Sequence, residues 1–177
     1  NYVDWVQGED APIMSHNLMR EKVLPYLNKE VPTVMVLLDN MRYDQWKVIE
    51  PYITELFKVE EEDHFYSILP TATQYSRNAI FAGMMPSEIE KHYKQWWKND
   101  PEEGGKNMHE ADLLGKQLER VLRRGDIKWD YTKVTRTNFA RQMQDRALDF
   151  LNNDFSVIVY NFIDMLSHAR TEMEVLK

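Results

Sequence analysis

The sequence predicts an α/β fold, a mainly parallel β-sheet with helices on both faces. Three observations predict it. The runs VMVLL at 34–38 and VIVY at 157–160 are apolar without alternation, as strands buried on both faces are. Segments with apolar residues at helical spacing lie between the strand-like runs, which is the pattern of β-α units. Finally, the strand-like runs end on groups that carry chemistry: Asp39, the pair Thr71 and Thr73, and Asp164.

Taken in order, SHNLMREKVLPYL at 15–27 begins on a capping Ser15 and places Leu18, Val23 and Leu24 at roughly helical spacing, which predicts a short amphipathic helix. PTVMVLLD at 32–39 is a buried strand ending in Asp39. MRYDQWKVIEPYITELF at 41–57 is one or two helices, with Pro51 at a restart. HFYSIL at 64–69 gives a second strand, and SRNAIFAG at 76–83 a helix ended by Gly83, with MPSEIEKHY after it. Residues 94–109, KQWWKNDPEEGGKNMH, are polar and rich in Gly and Pro, a loop or lid. EADLLGKQLERVLRR at 110–124 is a helix closed by Gly125, YTKV at 131–134 a strand, and NFARQMQDRALDFLNN at 138–153 a helix. FSVIVYNFID at 155–164 is the last apolar strand and ends in Asp164.

With 177 residues, 43% of them hydrophobic, the chain is long enough to bury about two-thirds of the surface its unfolded form exposes. A net charge of −7 with interspersed bases gives no general affinity for polyanions. The absence of cysteine removes disulfides, thiolate metal sites and cysteine nucleophiles together, so any metal must use His, Asp, Glu or hydroxyl oxygen. No apolar run is long enough to span a bilayer and no signal-peptide pattern is present, which makes a cytoplasmic location the expectation. The chain opens on Asn1 and stops at Lys177 within the helix-like TEMEVLK, as a fragment would.

Parallel strands collect their carboxyl ends along one edge of a sheet, so Asp39, the threonines and Asp164 can converge in one crevice. Asp164 and His168, at i and i+4, can share a face of a helical turn and chelate one cation. Each group alone also fits a structural role: a carboxylate after a strand caps the next helix, and threonines close turns. The correlated placement at three strand ends favours chemistry.

VMVLLDNMRYDQW, LPTATQYSRNAIFAGMMPSEIE and VYNFIDMLSHAR together resemble, in order, the PglZ domain of the alkaline-phosphatase superfamily, most nearly that of PorX-like response regulators linked to type IX secretion. The resemblance implies an alkaline-phosphatase-like fold, incomplete at the C-terminus. It implies residues 1–30 as a helical lead-in to an upstream region and 31–177 as the truncated PglZ domain, with a lid insertion around 94–109. It makes Asp39 a metal ligand, Thr73 nucleophile and metal ligand, and Asp164 and His168 the holders of a second metal. Phosphodiesterases of the superfamily commonly show P-T-x-T with the second Thr attacking, then a short helix and G-x-x-P, matched here by Pro70, Thr71, Thr73, Gly83 and Pro86; that selects Thr73 over Thr71.

The chemistry so implied is a metal-dependent phosphodiesterase with two divalent cations, Zn2+ foremost and Mn2+ or Mg2+ as alternatives. No His or Lys within PTATQ offers a base, so a cation must stabilise the Thr73 alkoxide, and two in-line displacements run through a phosphothreonine. Arg77 and Asn78 are candidates for substrate binding, with helix pairing or capping as the competing role. Trp96 and Trp97 either stack on a nucleobase or anchor the lid. His16, His64, His92 and His109 have no ligand-like spacing, and Asp44 and VEEEDH at 59–64 are surface charge. The resemblance further implies a nucleotide or oligonucleotide diester as substrate, a sensor kinase and secretion components as partners, and a homodimer as an open state. The competing reading is a non-catalytic signalling or interaction module that keeps the fold. In the superfamily a further Asp-His pair and a later His complete the two metal sites; these would lie beyond Lys177, so the 177-residue chain is expected to be a poor enzyme.

Overall fold

The computed structural model describes residues 2–8, 10–27, 30–97, 106–123, 125–134, 146, 148–161 and 163–164. The chain divides into two compact units, one of residues 1–26 and 63–126 and the other of 27–62 and 127–177.

The second unit holds the sheet. Strands β1 (Thr33–Leu38), β2 (Trp129–Val134) and β3 (Phe155–Tyr160) form, among the described residues, a three-stranded sheet of order β1-β3-β2. Both pairings are parallel, with Leu38 and Val134 each in register with Tyr160. The fold is therefore α/β with a parallel sheet, as the apolar runs predict. Central β3 is buried over Phe155–Val159, whereas Val34 and Val36 of edge strand β1 are exposed. Helix α2 (Tyr43–Thr54) follows β1. Its first turn is closed by Gln45 Oε1 accepting the Arg42 amide at 2.9 Å. The expected restart at Pro51 does not occur: α2 runs through Pro51 as one helix. Proline removes the amide that would bond the preceding turn and its ring crowds that turn's carbonyl, and here the helix ends three residues later. As expected, Asp44 is a surface residue, paired with Arg42 at 2.5 Å.

The first unit contains short helix α1 (Tyr2–Val6), a π-helical turn at Met19–Val23 continued by a 3₁₀ turn at Leu24–Tyr26, then helices α3 (Thr73–Ala82), α4 (Pro86–His92) and α5 (Glu110–Leu122). The amphipathic helix expected over 15–27 is thus present only as those two turns. The strand expected at 64–69 is not formed. Within it only Tyr66 pairs, in a single parallel bridge with Met14. Other backbone donors there find side chains: Ile68 N donates to Ser15 Oγ at 3.1 Å and Leu69 N to the Tyr2 hydroxyl at 2.6 Å. A strand needs a neighbouring ladder, and the apolar side chains here, Ile68 above all, pack instead with Met14 and Ala79 against Tyr2, Trp5 and Met85.

Helix α3 packs on α5, burying Ala79–Ala82 on one side and Leu113, Leu114 and Leu118 on the other. Gly83 ends α3 at φ +60°, the left-handed conformation that glycine adopts without a Cβ clash. For α5 the expectation of closure by Gly125 is corrected: Arg123 takes the left-handed position at φ +49°. The helix simply stops two residues earlier, before the chain reaches its glycine. Of the helix expected over 138–153, residues 146 and 148–152 are helical, Asn153 is not, and 138–145 and 147 lie outside the described residues.

Candidate active site

In the sheet unit, two of the expected residues come from neighbouring strand ends. Asp39 follows β1 directly, and its amide extends the ladder by donating to Tyr160 O at 3.1 Å. Asn40, at φ +60°, then turns the chain. From the adjacent strand, Asn161 N donates to Val134 O at 3.1 Å, and Asp164 is helical together with Ile163. Asp39 and Asp164 are both half-buried. Parallel pairing is the cause of this placement: β1 and β3 point the same way, so the residues after Leu38 and those after Tyr160 leave the same edge of the sheet. Carboxylates are hard oxygen donors, so the residues present fit a divalent cation such as Mg2+, Mn2+ or Zn2+. Among the described residues no three His, Asp or Glu side chains gather into a metal-holding group, and His168 lies outside the described residues.

Thr73 belongs to the other unit, where it is the first residue of α3 and half-buried. Ala72 precedes the helix in an extended conformation, and its carbonyl accepts the amides of Tyr75 and Ser76 at 2.9 and 3.0 Å. The amides of a helix's first residues have no partner inside the helix and face outward, with the positive end of the helix dipole behind them. Thr71 is exposed and lies before the helix.

The first turns of α3 are tied down residue by residue. The Ser76 hydroxyl meets Ser67 Oγ at 2.7 Å and Ser15 Oγ at 3.0 Å. The Tyr75 ring lies 5.9 Å from Trp97, and Trp96 stacks on Tyr93 at 5.2 Å and on His109 at 6.2 Å. Both tryptophans are half-buried and thus anchor the described ends of the 94–109 segment to the unit. Arg77 and Asn78 are 4% and 0% exposed. The Arg77 guanidinium pairs with the Glu110 carboxylate, itself 1% exposed, and Asn78 Nδ2 donates to Gln74 O at 2.9 Å. The pairing role weighed for Arg77 is therefore found, but inside the unit rather than on a helix surface.

Asn107 and Glu110 are the residues that sequence reasoning missed. Asn107 Nδ2 donates to Glu110 Oε1 at 2.9 Å and reaches Thr73 O at 3.4 Å. The one signal pointing to such a pair was Arg77 just before the apolar run 79–82, since a buried guanidinium requires a carboxylate; nothing in the spacing says which.

The other histidines behave as packing or surface residues. His109 Nδ1 lies 2.8 Å from Asp112 Oδ2, and His64 is exposed beside Tyr66. His16, half-buried, lines a cavity of about 400 Å³ with Trp5, Asn17 and Arg20. Burial lowers its pKa below the ordinary value; the Glu88 charge opposes that shift and Arg20 reinforces it. No helix among the described residues is long and apolar enough to cross a membrane.

Compared with known families, the chain matches the one described as the BREX system PglZ alkaline phosphatase-like domain over residues 18–177. A search of curated proteins returned no match to the chain.

Proposed function

Because the chain belongs to the PglZ alkaline phosphatase-like family, we propose that the intact protein is a metal-dependent phosphodiesterase acting on nucleotide-like diesters, with Thr73 as nucleophile. The observation that carries this reading, beside the family, is the issue of Asp39 and Asp164 from the carboxyl ends of two adjacent parallel strands. Asp39, Asp164 and, by motif, His168 would hold two divalent cations, Zn2+ or alternatively Mn2+ or Mg2+. When bound, such cations supply the positive charge that makes a threonine alkoxide accessible at neutral pH and shields the leaving oxygen.

The protein's own part begins with Thr73. Its Oγ forms a bond to phosphorus as the ester P–O bond opposite breaks, and the leaving alcohol departs from a phosphothreonine. Water then forms the second P–O bond as the Thr73 Oγ–P bond breaks, which returns the hydroxyl and releases the monoester. The α3 amino end, with the amides of Thr73 and Gln74 at its first turn, favours the phosphoryl oxygens through the helix dipole. Arg77 and Asn78 serve this step by holding α3, the Arg77 guanidinium through Glu110 and the Asn78 Nδ2 through Gln74 O.

The physiological setting we propose is the effector domain of a two-component response regulator linked to type IX secretion, acting in the cytoplasm, with a sensor kinase and secretion components as partners. A second reading, a non-catalytic interaction module, is favoured by the exposed apolar residues in and after α2, where Val48, Tyr52 and Leu56 are 69, 70 and 81% exposed.

The test is hydrolysis of bis(p-nitrophenyl) phosphate by the intact protein with metal content measured in parallel. Thr73→Ala should lower turnover by about a thousandfold or more with folding unchanged, and Thr71→Ala far less. Asp39→Ala and Asp164→Ala should each lower metal affinity by an order of magnitude or more, roughly what is lost with even an outer partner of a ligand. Full activity in Thr73→Ala sinks the nucleophile assignment; unchanged metal stoichiometry in both Asp variants sinks the ligand assignment; absence of turnover in the metal-loaded wild type leaves the interaction module.

A further inference from the structure

We propose that Asn107 is a positioning residue for Thr73, the fixed link between a buried ion pair and the backbone of the nucleophile; the inference rests on the reading of Thr73 given above. One amide nitrogen carries two hydrogens, and here each has an acceptor: Glu110 Oε1 at 2.9 Å and Thr73 O at 3.4 Å. Glu110 is in turn held by Arg77, one turn further along α3 than Thr73. Asn107 and Glu110 therefore close a loop that leaves α3 at Thr73 and returns to it at Arg77.

The residue types follow from this geometry. A carboxylate 1% exposed is costly unless charge and hydrogen bonds both answer it. Arg77 supplies the charge, and the asparagine amide supplies a second donor without adding another charge. Aspartate at 107 would bring a second carboxylate against Glu110 and would offer no donor to the Thr73 carbonyl. Alanine would take one donor from Glu110 and the side-chain contact from the Thr73 carbonyl. Because Asn107 lies on the 3₁₀ turn Lys106–His109 leading into α5, which packs on α3, it is fixed from the far side before it touches Thr73.

A nucleophile misplaced by about 1 Å costs up to about 100-fold in rate, so a tie on the Thr73 backbone bears on turnover rather than on substrate affinity. The experiment compares wild type, Asn107→Ala, Asn107→Asp and Asn107→Gln in the intact protein, with bis(p-nitrophenyl) phosphate as probe and amide hydrogen exchange as second readout. Asn107→Ala is expected to lower kcat by about tenfold with KM within about twofold, and to speed exchange of the Tyr75 and Ser76 amides, which are bonded to Ala72 O, with no change in β1 and β3. Asn107→Asp should be worse than Asn107→Ala, and Asn107→Gln, which keeps the amide, should retain most of the turnover. A raised KM with kcat intact overturns the proposal, because Asn107 then acts on substrate. Unchanged exchange at Tyr75 and Ser76 overturns it too, and so does Asn107→Gln as impaired as Asn107→Ala. If Asn107→Ala fails to fold, Asn107→Gln against Asn107→Asp carries the same comparison. Thr73→Ala is measured beside them: should it keep turnover, the nucleophile reading falls, while the exchange data decide the Asn107 tie by themselves.

Discussion

Replacing Gly83 by alanine should destabilise the unit that carries Thr73. Gly83 stands at φ +60° and ψ +38°, where its amide closes α3 on Ala79 O at 2.9 Å. Holding an alanine in the left-handed conformation costs about 1–2 kcal/mol. The added Cβ would also overlap the end of the Gln117 carboxamide, with Gln117 Cδ at 2.7 Å and Arg120 Nη2 at 3.1 Å. Both side chains finish the helix: with the Gln117 carboxamide turned so that its nitrogen faces the carbonyls around it, that nitrogen donates to Phe81 O at 2.8 Å and Ile80 O at 3.1 Å, and Arg120 Nη2 donates to Ala82 O at 2.6 Å. Gln117 is 1% exposed and has no open space to retreat into, so the overlap displaces its two hydrogen bonds, about 1 kcal/mol each. The sum is about 3–4 kcal/mol, and at about 2–4 °C per kcal/mol for a chain of this size the midpoint should fall by roughly 6–16 °C. Thermal unfolding followed by circular dichroism, with urea unfolding beside it, measures both quantities. The discriminating arm is the Gln117→Ala background, in which Gly83→Ala should cost only the backbone part, about 1–2 kcal/mol. A Gly83→Ala protein within about 0.5 kcal/mol of wild type, or equal costs in the two backgrounds, refutes the reasoning.

Arg77→Met leaves the Glu110 carboxylate buried without its cation and should cost about 3–5 kcal/mol. Arg77→Met with Glu110→Leu should cost less than the two single changes added together, and a double-mutant cycle that comes out additive counts against a coupled pair. His16 makes stability depend on pH. Its folded-state pKa lies below the ordinary 6.5, so between those two values the unfolded chain binds more protons. The contribution is complete above about 6.5 and is lost as pH falls toward the folded value; His16→Gln should flatten that limb of the urea-midpoint profile against pH, and an unchanged profile in His16→Gln rejects the assignment.

Much of the frame could be read from the chain alone. The unalternating runs 34–38 and 157–160 became neighbouring parallel strands, the second buried as such a run implies and the first, at the edge, leaving Val34 and Val36 exposed, and that pairing carries Asp39 and Asp164 to one sheet edge. Gly83 was legible as the end of α3 because a left-handed cap has a residue type of its own. HFYSIL misled for the converse reason: its composition suits a pleated surface, yet a ladder is made by a partner, and residues 64–69 belong to the unit without the sheet. Arg123, rather than Gly125, capped α5 because the place where a helix stops depends on what it packs against. The ties on Thr73 were hidden most completely. Asn107 lies 34 residues from Thr73 and Glu110 lies 33 from Arg77, separations with no periodicity to betray them. Sequence determined strands β1 and β3 and helices α3 and α5, since those follow from the local pattern of apolar side chains. Only tertiary structure decided which buried charge meets which, because a guanidinium taken out of water must find whatever carboxylate the fold brings within reach.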